Sequence, residues 1–230
     1  MSRPYFGIIP VMKAEVNKLD FLKDTNVFIL DVDGTLIDTV SFIESTYLLT
    51  LQTHKIRVTK KELRKNITLP ARDIFKILAP HIDGQLLHER LSSNQLSILH
   101  TVSAISGAVE TLKKFKERGG LIATVTSRTK DTGIELLQHT QLNGLIDYKL
   151  FRDDITHAKP HPESLHMTLK YFGKMAQNAV MIGDSIVDIE AGKNAGVKTV
   201  GVLTGFDKKI IKNAHPDLLV KDISYLSGYV

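Results

Sequence analysis

Asn26-Val-Phe-Ile-Leu-Asp31-Val-Asp33-Gly34-Thr35-Leu36-Ile-Asp38 is the stretch on which the reading of this chain turns. Its apolar run, Val27 to Leu30, has the length and composition of a buried β-strand. The run ends in two carboxylates, Asp31 and Asp33, spaced i and i+2 and followed by Gly-Thr. In an open α/β sheet, ligands collect just beyond the carboxyl ends of the strands. Two acids on a turn at that place suit a hard cation such as Mg²⁺ with a nucleophile beside it. They equally suit a strand that simply ends in an Asp-Gly turn. The stretch alone does not choose between the two.

Downstream the period changes. Val40, Ile43, Tyr47, Leu48 and Leu51 recur at helical spacing over Asp38–Thr53. Thr59-Lys-Lys-Glu62 is a capping box that starts another helix. Pro70 opens a third, which runs to Leu78 and is stopped by Ala79-Pro80. Gln85–His100 is a fourth, amphipathic one. Residues 40–103 therefore read as an all-helical insert. After Ser106-Gly107 strands and helices alternate: strands over Leu121–Val125, Tyr148–Phe151, Ala179–Ile182, Lys198–Val202 and Leu218–Val220, separated by helices over Ala108–Arg118, Asp131–His139, Glu163–Phe172, Ile186–Ala195 and Lys208–Ala214. That alternation predicts a parallel sheet covered on both faces, an α/β core. The expected division is an N-terminal extension over 1–25 with a short helix at Ala14–Lys23, an α/β core over 26–39 and 104–230, and a helical insert over 40–103.

The 230 residues, 43% hydrophobic and 24% charged, have the balance of a globular protein with a full core. The absence of Cys excludes disulfides, thiol nucleophiles and Cys-based zinc sites. No apolar run approaches the ~18 residues of a membrane span, and the N-terminus is a poor signal peptide, so no membrane association and a cytoplasmic location are expected. The net charge of +5 is spread over helix faces, without the aromatic-interleaved basic stretches of nucleic-acid binders.

The strand ends carry the chemistry. Asp31 and Asp33 follow the first strand, Thr126-Ser127 the second, and Asp184 the fourth, with Asp188 four residues on; Lys159 stands in a Pro-braced loop before a helix. In a parallel sheet these ends share one edge. Taken in order, Asp31-x-Asp33-Gly-Thr35, Thr126, Lys159-Pro160 and Gly183-Asp184-Ser-x-x-Asp188 resemble the four motifs of the haloacid dehalogenase superfamily. The similarity runs from about Val27 to Leu226. It implies a Rossmann-like parallel core with an inserted helical cap, and phosphoryl chemistry through an aspartyl phosphate. Asp31 is then the nucleophile and Asp33 the general acid and base. Superfamily members that cleave carbon–halogen bonds lack this second Asp. Mg²⁺ is expected on the Asp31 carboxylate, the Asp33 backbone carbonyl and Asp184, with Asp188 acting behind them or through a water. Thr126, with Ser127 and nearby N–H groups, would bind phosphate oxygens, and Lys159 would neutralise phosphate and Asp31. His157 and His161 read as polar loop residues, because oxygen ligands already account for the metal.

The insert resembles the small helical cap that selects substrate in phosphoglycolate phosphatase-like and β-phosphoglucomutase-like members. Within it, Leu69-Pro70-Ala71-Arg72-Asp73-Ile74-Phe75 is similar to their specificity loop. Arg72, and Arg128 beside the phosphate turn, are candidate substrate contacts. The expected function is a Mg²⁺-dependent phosphatase acting on a small phosphorylated metabolite, phosphoglycolate phosphatase-like, as a monomer or homodimer. The alternatives are a β-phosphoglucomutase-like mutase, and a pyrophosphatase or nucleotidase of the same superfamily. The Gly-Thr35-Leu turn leans toward phosphatases. A purely regulatory binding role is disfavoured, because no catalytic position is lost.

Overall fold

The computed structural model describes residues 20–67, 69–206 and 208–229. Residues 1–19 of the expected 1–25 extension, with the first part of its Ala14–Lys23 helix, lie outside them. Helix α1, Asp20–Asp24, leads into strand β1, Val27–Leu30. Four helices follow: α2 (Val40–Thr53), α3 (Lys60–Arg64), α4 (Ala71–Leu78) and α5 (Gly84–Ser97). The rest alternates: α6 (Ala108–Glu117), β2 (Leu121–Val125), α7 (Lys130–His139), β3 (Tyr148–Leu150), α8 (Glu163–Phe172), β4 (Ala179–Gly183), α9 (Ile186–Asn194), β5 (Lys198–Val202), α10 (Lys208–Asn213) and β6 (Leu218–Val220).

Among the described residues the six strands are all parallel, in the order β3-β2-β1-β4-β5-β6. The chain walks from β1 to one edge and returns to the other side of β1, which makes the end of β1 the topological switch point where α/β sheets bind ligands. Register sharpens this. Leu30 lies level with Thr124 of β2 and Ile182 of β4, so the three strands deliver their next residues to the same height.

Side chains of β1 alternate between two cores, as strand geometry requires. Phe28 and Leu30 face α6 and α7, with Leu112, Phe115, Leu136 and Leu137. Val27 and Ile29 face α8 and α9, with Leu165, Leu169, Ala191 and Ala195. Both faces are apolar, which explains why β1 reads as an unbroken hydrophobic run. Each fully buried Phe or Leu contributes about 1.5–3 kcal/mol.

The helical insert has its own core of Tyr47, Leu51, Leu63, Ile74, Phe75 and Leu87. Its two connections to the sheet domain are zipped together: the Asp38 N–H donates to Ser103 O (3.0 Å) and the Ile105 N–H to Leu36 O (2.9 Å), while Ile37 bridges Ala104 antiparallel. The capping box at α3 is formed, with Glu62 N–H donating to the Thr59 hydroxyl at 3.2 Å and Thr59 N–H to Glu62 at 2.8 Å. Element ends differ from expectation by a residue or two. Helix α2 starts at Val40, after Thr39 as cap, and α5 ends at Ser97 because the chain tightens into a 3₁₀ turn over Leu99–Thr101. No helix among the described residues is long and apolar enough to cross a membrane.

Candidate active site

Asp31 continues the sheet ladder one residue beyond β1, its N–H donating to Ile182 O at 2.9 Å. The chain then folds back sharply. Val32 O accepts from the N–H groups of Leu36 and Ile37, both at 3.0 Å, and Gly34 sits at φ 73, a left-handed conformation that glycine adopts without strain. This turn holds Asp31 buried and leaves the Asp33 side chain 21% exposed, facing the insert.

Lys159 is the cation of the floor. Its Nζ donates to Asp31 Oδ1 (2.7 Å), Asp188 Oδ1 (2.6 Å) and Val125 O (3.0 Å), which uses all three of its protons. Burial works against its charge, but the Asp188 and Asp31 carboxylates outweigh it and its pKa is raised. The other oxygen of Asp188 accepts from the Ser185 N–H at 3.1 Å and from its hydroxyl, closing a capping box at α9. Asp188 therefore places Lys159 and caps a helix at once.

Asp184 approaches from β4 and receives the Thr35 hydroxyl at 3.2 Å. Two glycines give it room. A Cβ on Gly34 would lie 2.5 Å from Asp184 Oδ2, and one on Gly205, in the loop after β5, 1.9 Å from it. Thr204, next to Gly205, donates its hydroxyl to Gly34 O, tying that loop to the acidic turn. Gly205→Ala is expected to push the carboxylate aside and to weaken Mg²⁺ binding by about 10–100-fold, as loss of support around a ligand does. Titration calorimetry with Mg²⁺ checks it.

Carboxylate oxygens of Asp31, Asp184 and Asp188 lie within 4.8 Å of one another. Burial, then the neighbouring carboxylates, pushes Asp31 up to about 7 despite Lys159, and pushes Asp184 well above the carboxylate range. The donor set is all oxygen and holds more negative charge than one lysine can offset. That is a fit to a divalent hard cation such as Mg²⁺. A consequence follows for stability. Without metal, the folded chain holds protons on Asp31 and Asp184 more tightly than the unfolded chain. For Asp31 that stabilising contribution is complete below pH ~4 and is lost as pH rises through ~7; Asp184, also raised, contributes in the same direction. Saturating Mg²⁺ should raise Tm by about 5–10 °C at pH 8, and by less at pH 5, where protons compete for the ligands. Calorimetric scans with Mg²⁺ or EDTA at both pH values measure this, and an equal gain at the two would refute it.

Thr126 closes the turn after β2. It is buried, and its hydroxyl oxygen accepts from the Arg128 N–H at 3.2 Å, leaving its own proton to donate. Ser127 beside it is exposed. Arg128 is 8% exposed and forks onto Asp33, with Nε 2.7 Å from Oδ2 and Nη2 2.6 Å from Oδ1. Its Nη1 donates to Gln95 Oε1 of α5 at 3.1 Å, and its guanidinium lies 5.5 Å from the Phe42 ring centre. Arg72 is placed elsewhere. It is exposed on a cleft of about 290 Å³ within the insert, lined by Phe75, Ala79, Ile82 and Gln85 and by no residue of the sheet domain. His157 and His161 are exposed, their rings tilted to one another with centres 4.5 Å apart, and His157 Nδ1 lies 2.8 Å from Glu163. Glu163 also accepts the N–H groups of Thr156 and His157 (both 2.8 Å), which hold its pKa down to about 2. This carboxylate thereby staples the loop that presents Lys159.

Sequence reasoning missed Gln95, Phe42 and the Thr204-Gly205 loop. The loop had a signal, since it follows a strand at the carboxyl edge. Gln95 had none.

A family model for haloacid dehalogenase-like hydrolases matches residues 28–202 of the chain. Pyrophosphatase PpaX of Halalkalibacterium halodurans is 31% identical over 206 residues, covering 85% of this chain and 96% of that protein. The protein of the same name from Bacillus cereus strain AH820 is 30% identical over 213 residues, covering 87% and 94%. Among solved structures, a hydrolase from Pseudomonas syringae matches with a TM-score of 0.78 over 89% of this chain and 97% of that one, at 24% identity. CbbY from Rhodobacter sphaeroides, in complex with phosphate, matches with a TM-score of 0.78 over 88% and 96%, at 17% identity. Both share the α/β core with its inserted helical cap.

Proposed function

Because the chain belongs to the haloacid dehalogenase-like hydrolase family, we propose that it is a Mg²⁺-dependent phosphohydrolase that splits inorganic pyrophosphate through an aspartyl phosphate on Asp31. The observation that carries this is the pairing of two carboxylates with two different cations: Asp31 on Lys159 at the floor, Asp33 on Arg128 toward the cap. Two acids kept apart in this way suit two different tasks.

Asp31 attacks phosphorus, a new P–O bond forms, and the bond to the leaving phosphate breaks. Asp33 donates the proton that the leaving oxygen takes up. It then takes a proton from water as that water attacks the acyl phosphate, which releases phosphate and regenerates Asp31. Lys159 offsets the charge of the attacked phosphoryl group, and the Thr126 hydroxyl and the N–H groups around Ser127 hold its oxygens. Asp31, Asp184 and the Asp33 backbone carbonyl would hold Mg²⁺, with Asp188 indirect because both its oxygens are engaged. When bound, the cation offsets carboxylate–phosphate repulsion and orients the phosphate.

Pyrophosphate is preferred over phosphoglycolate because the relatives at about 30% identity carry the former name over nearly their whole length. Arg72, expected as a clamp for a substrate carboxylate or a second phosphate, lies on a cleft lined by cap residues and does not separate the two substrates. Phosphate release from pyrophosphate, phosphoglycolate, sugar phosphates and nucleotides, with Mg²⁺ or EDTA, tests the reading. Pyrophosphate should lead by about tenfold or more in kcat/KM. A lead for phosphoglycolate, or interconversion of hexose phosphates, would replace it.

A further inference from the structure

The two cations of the site are held differently. Every partner of the Lys159 ammonium belongs to the sheet domain: Asp31, Asp188 and Val125 O. Arg128 spans the two domains. Its backbone is fixed to the core, with N–H to the Thr126 hydroxyl (3.2 Å) and O accepting from Arg152 N–H (2.7 Å). Its guanidinium forks onto Asp33 with Nε and Nη2, and its remaining arm, Nη1, donates to Gln95 of the cap. Gln95 stands on a helix locked into the cap: its neighbour Asn94 is buried and donates to Thr50 of α2 at 2.9 Å, and Leu87 and Leu91 are in the cap core. Phe42 of α2 underlies the same guanidinium. A planar five-donor group pinned on one edge has its other edge fixed in orientation.

We propose that Arg128 is a positioning residue through which the seated cap orients the Asp33 carboxylate, with Gln95 as the cap's handle on it. The nucleophile is set by the core alone, and the acid/base group is set only when the cap is in place. This rests on the reading of Asp33 as general acid and base. It also gives Arg128 a task other than the substrate contact expected from sequence.

Steady-state hydrolysis of pyrophosphate with Mg²⁺ tests it in the wild type, Gln95→Leu, Gln95→Glu, Arg128→Lys and the double variant Gln95→Leu/Arg128→Lys, with Tm recorded for each. Gln95→Leu should lower kcat about tenfold and leave KM within about twofold, since misaligned groups slow the step without weakening binding. Gln95→Glu keeps an acceptor for Nη1 and should restore most of kcat. Arg128→Lys cannot fork and should lower kcat to a similar degree. The double variant should be no worse than the poorer single, because both act on one element. A raised KM at unchanged kcat would make Gln95 and Arg128 substrate contacts and overturn the proposal. So would a lowered Tm at unchanged kcat, or additive losses in the double variant. If the wild type releases phosphate from no compound of the panel above, the reading of the site falls and this inference with it. If the wild type is active and Gln95→Leu equally so, only the inference falls.

Discussion

Asp31→Asn is expected to reduce turnover by at least about 10⁴-fold, the scale of losing a nucleophile, without destabilising the protein. The second half of that statement separates chemistry from structure. Asp31 is buried, and desolvation together with Asp188 and Asp33 pushes its carboxyl up to about 7. An amide of the same shape carries no charge to desolvate. Lys159 keeps Asp188 and Val125 O as partners. The Tm of the variant in EDTA at pH 8 should therefore equal or exceed that of the wild type. A variant that is inactive and markedly less stable would mean that Asp31 is first a structural anchor.

Lys159→Met should do the opposite on the stability axis and resemble Asp31→Asn on the activity axis. Both anions served by Lys159 are desolvated: the Asp31 and Asp188 side chains are 10% and 1% exposed. Removing the one cation between them leaves uncompensated buried charge, at about 3–5 kcal/mol. For a chain of this size that lowers Tm by about 6–20 °C. Turnover should fall by about 10²–10³-fold, the loss that follows removal of a preorganised charge stabiliser. The destabilisation should be smaller at pH 5, where protonation of Asp31 substitutes for the missing cation. Thermal scans at pH 5 and pH 8 in EDTA, beside initial rates with Mg²⁺, check both parts.

What the amino-acid order revealed, and what it hid, follows from range. Asp31, Asp33, Thr126, Asp184 and Asp188 are legible because each terminates or follows a strand whose composition announces it, and a parallel sheet brings such ends together without further information. The helical insert is legible because its 3.6-residue period breaks the alternation of strands. The partners of these groups are another matter. Arg128 meets Asp33 across 95 positions and Gln95 across 33. Gln95 is one polar position among several on an amphipathic helix, and only the seating of the cap singles it out. Gly205 shows the same limit, since the need for glycine arises from an Asp184 oxygen that the third dimension brings against it. Arg72 shows the reverse. A local resemblance marked it as a substrate contact; the fold shows where it stands, exposed on a cleft of the cap, and leaves that role to be tested.

The choice of substrate was the least legible feature for a related reason. Phosphoglycolate, sugar phosphates and pyrophosphate all present a phosphoryl group to the same floor of Asp31, Lys159 and Thr126. What would tell them apart lies above that floor, on the cap side, where the spacing of residues in sequence says little about which side chains face inward.

The central claim is a covalent intermediate on Asp31, and peptide mass spectrometry tests it most directly. The enzyme is mixed with pyrophosphate and Mg²⁺, quenched in acid during turnover, and reduced with borohydride, which converts an acyl phosphate to an alcohol. The account predicts homoserine at position 31, present only with Mg²⁺ and absent in Asp31→Asn. Turnover that persists in Asp31→Asn, with no modified residue at position 31 in the wild type, would mean direct attack by water and would contradict it.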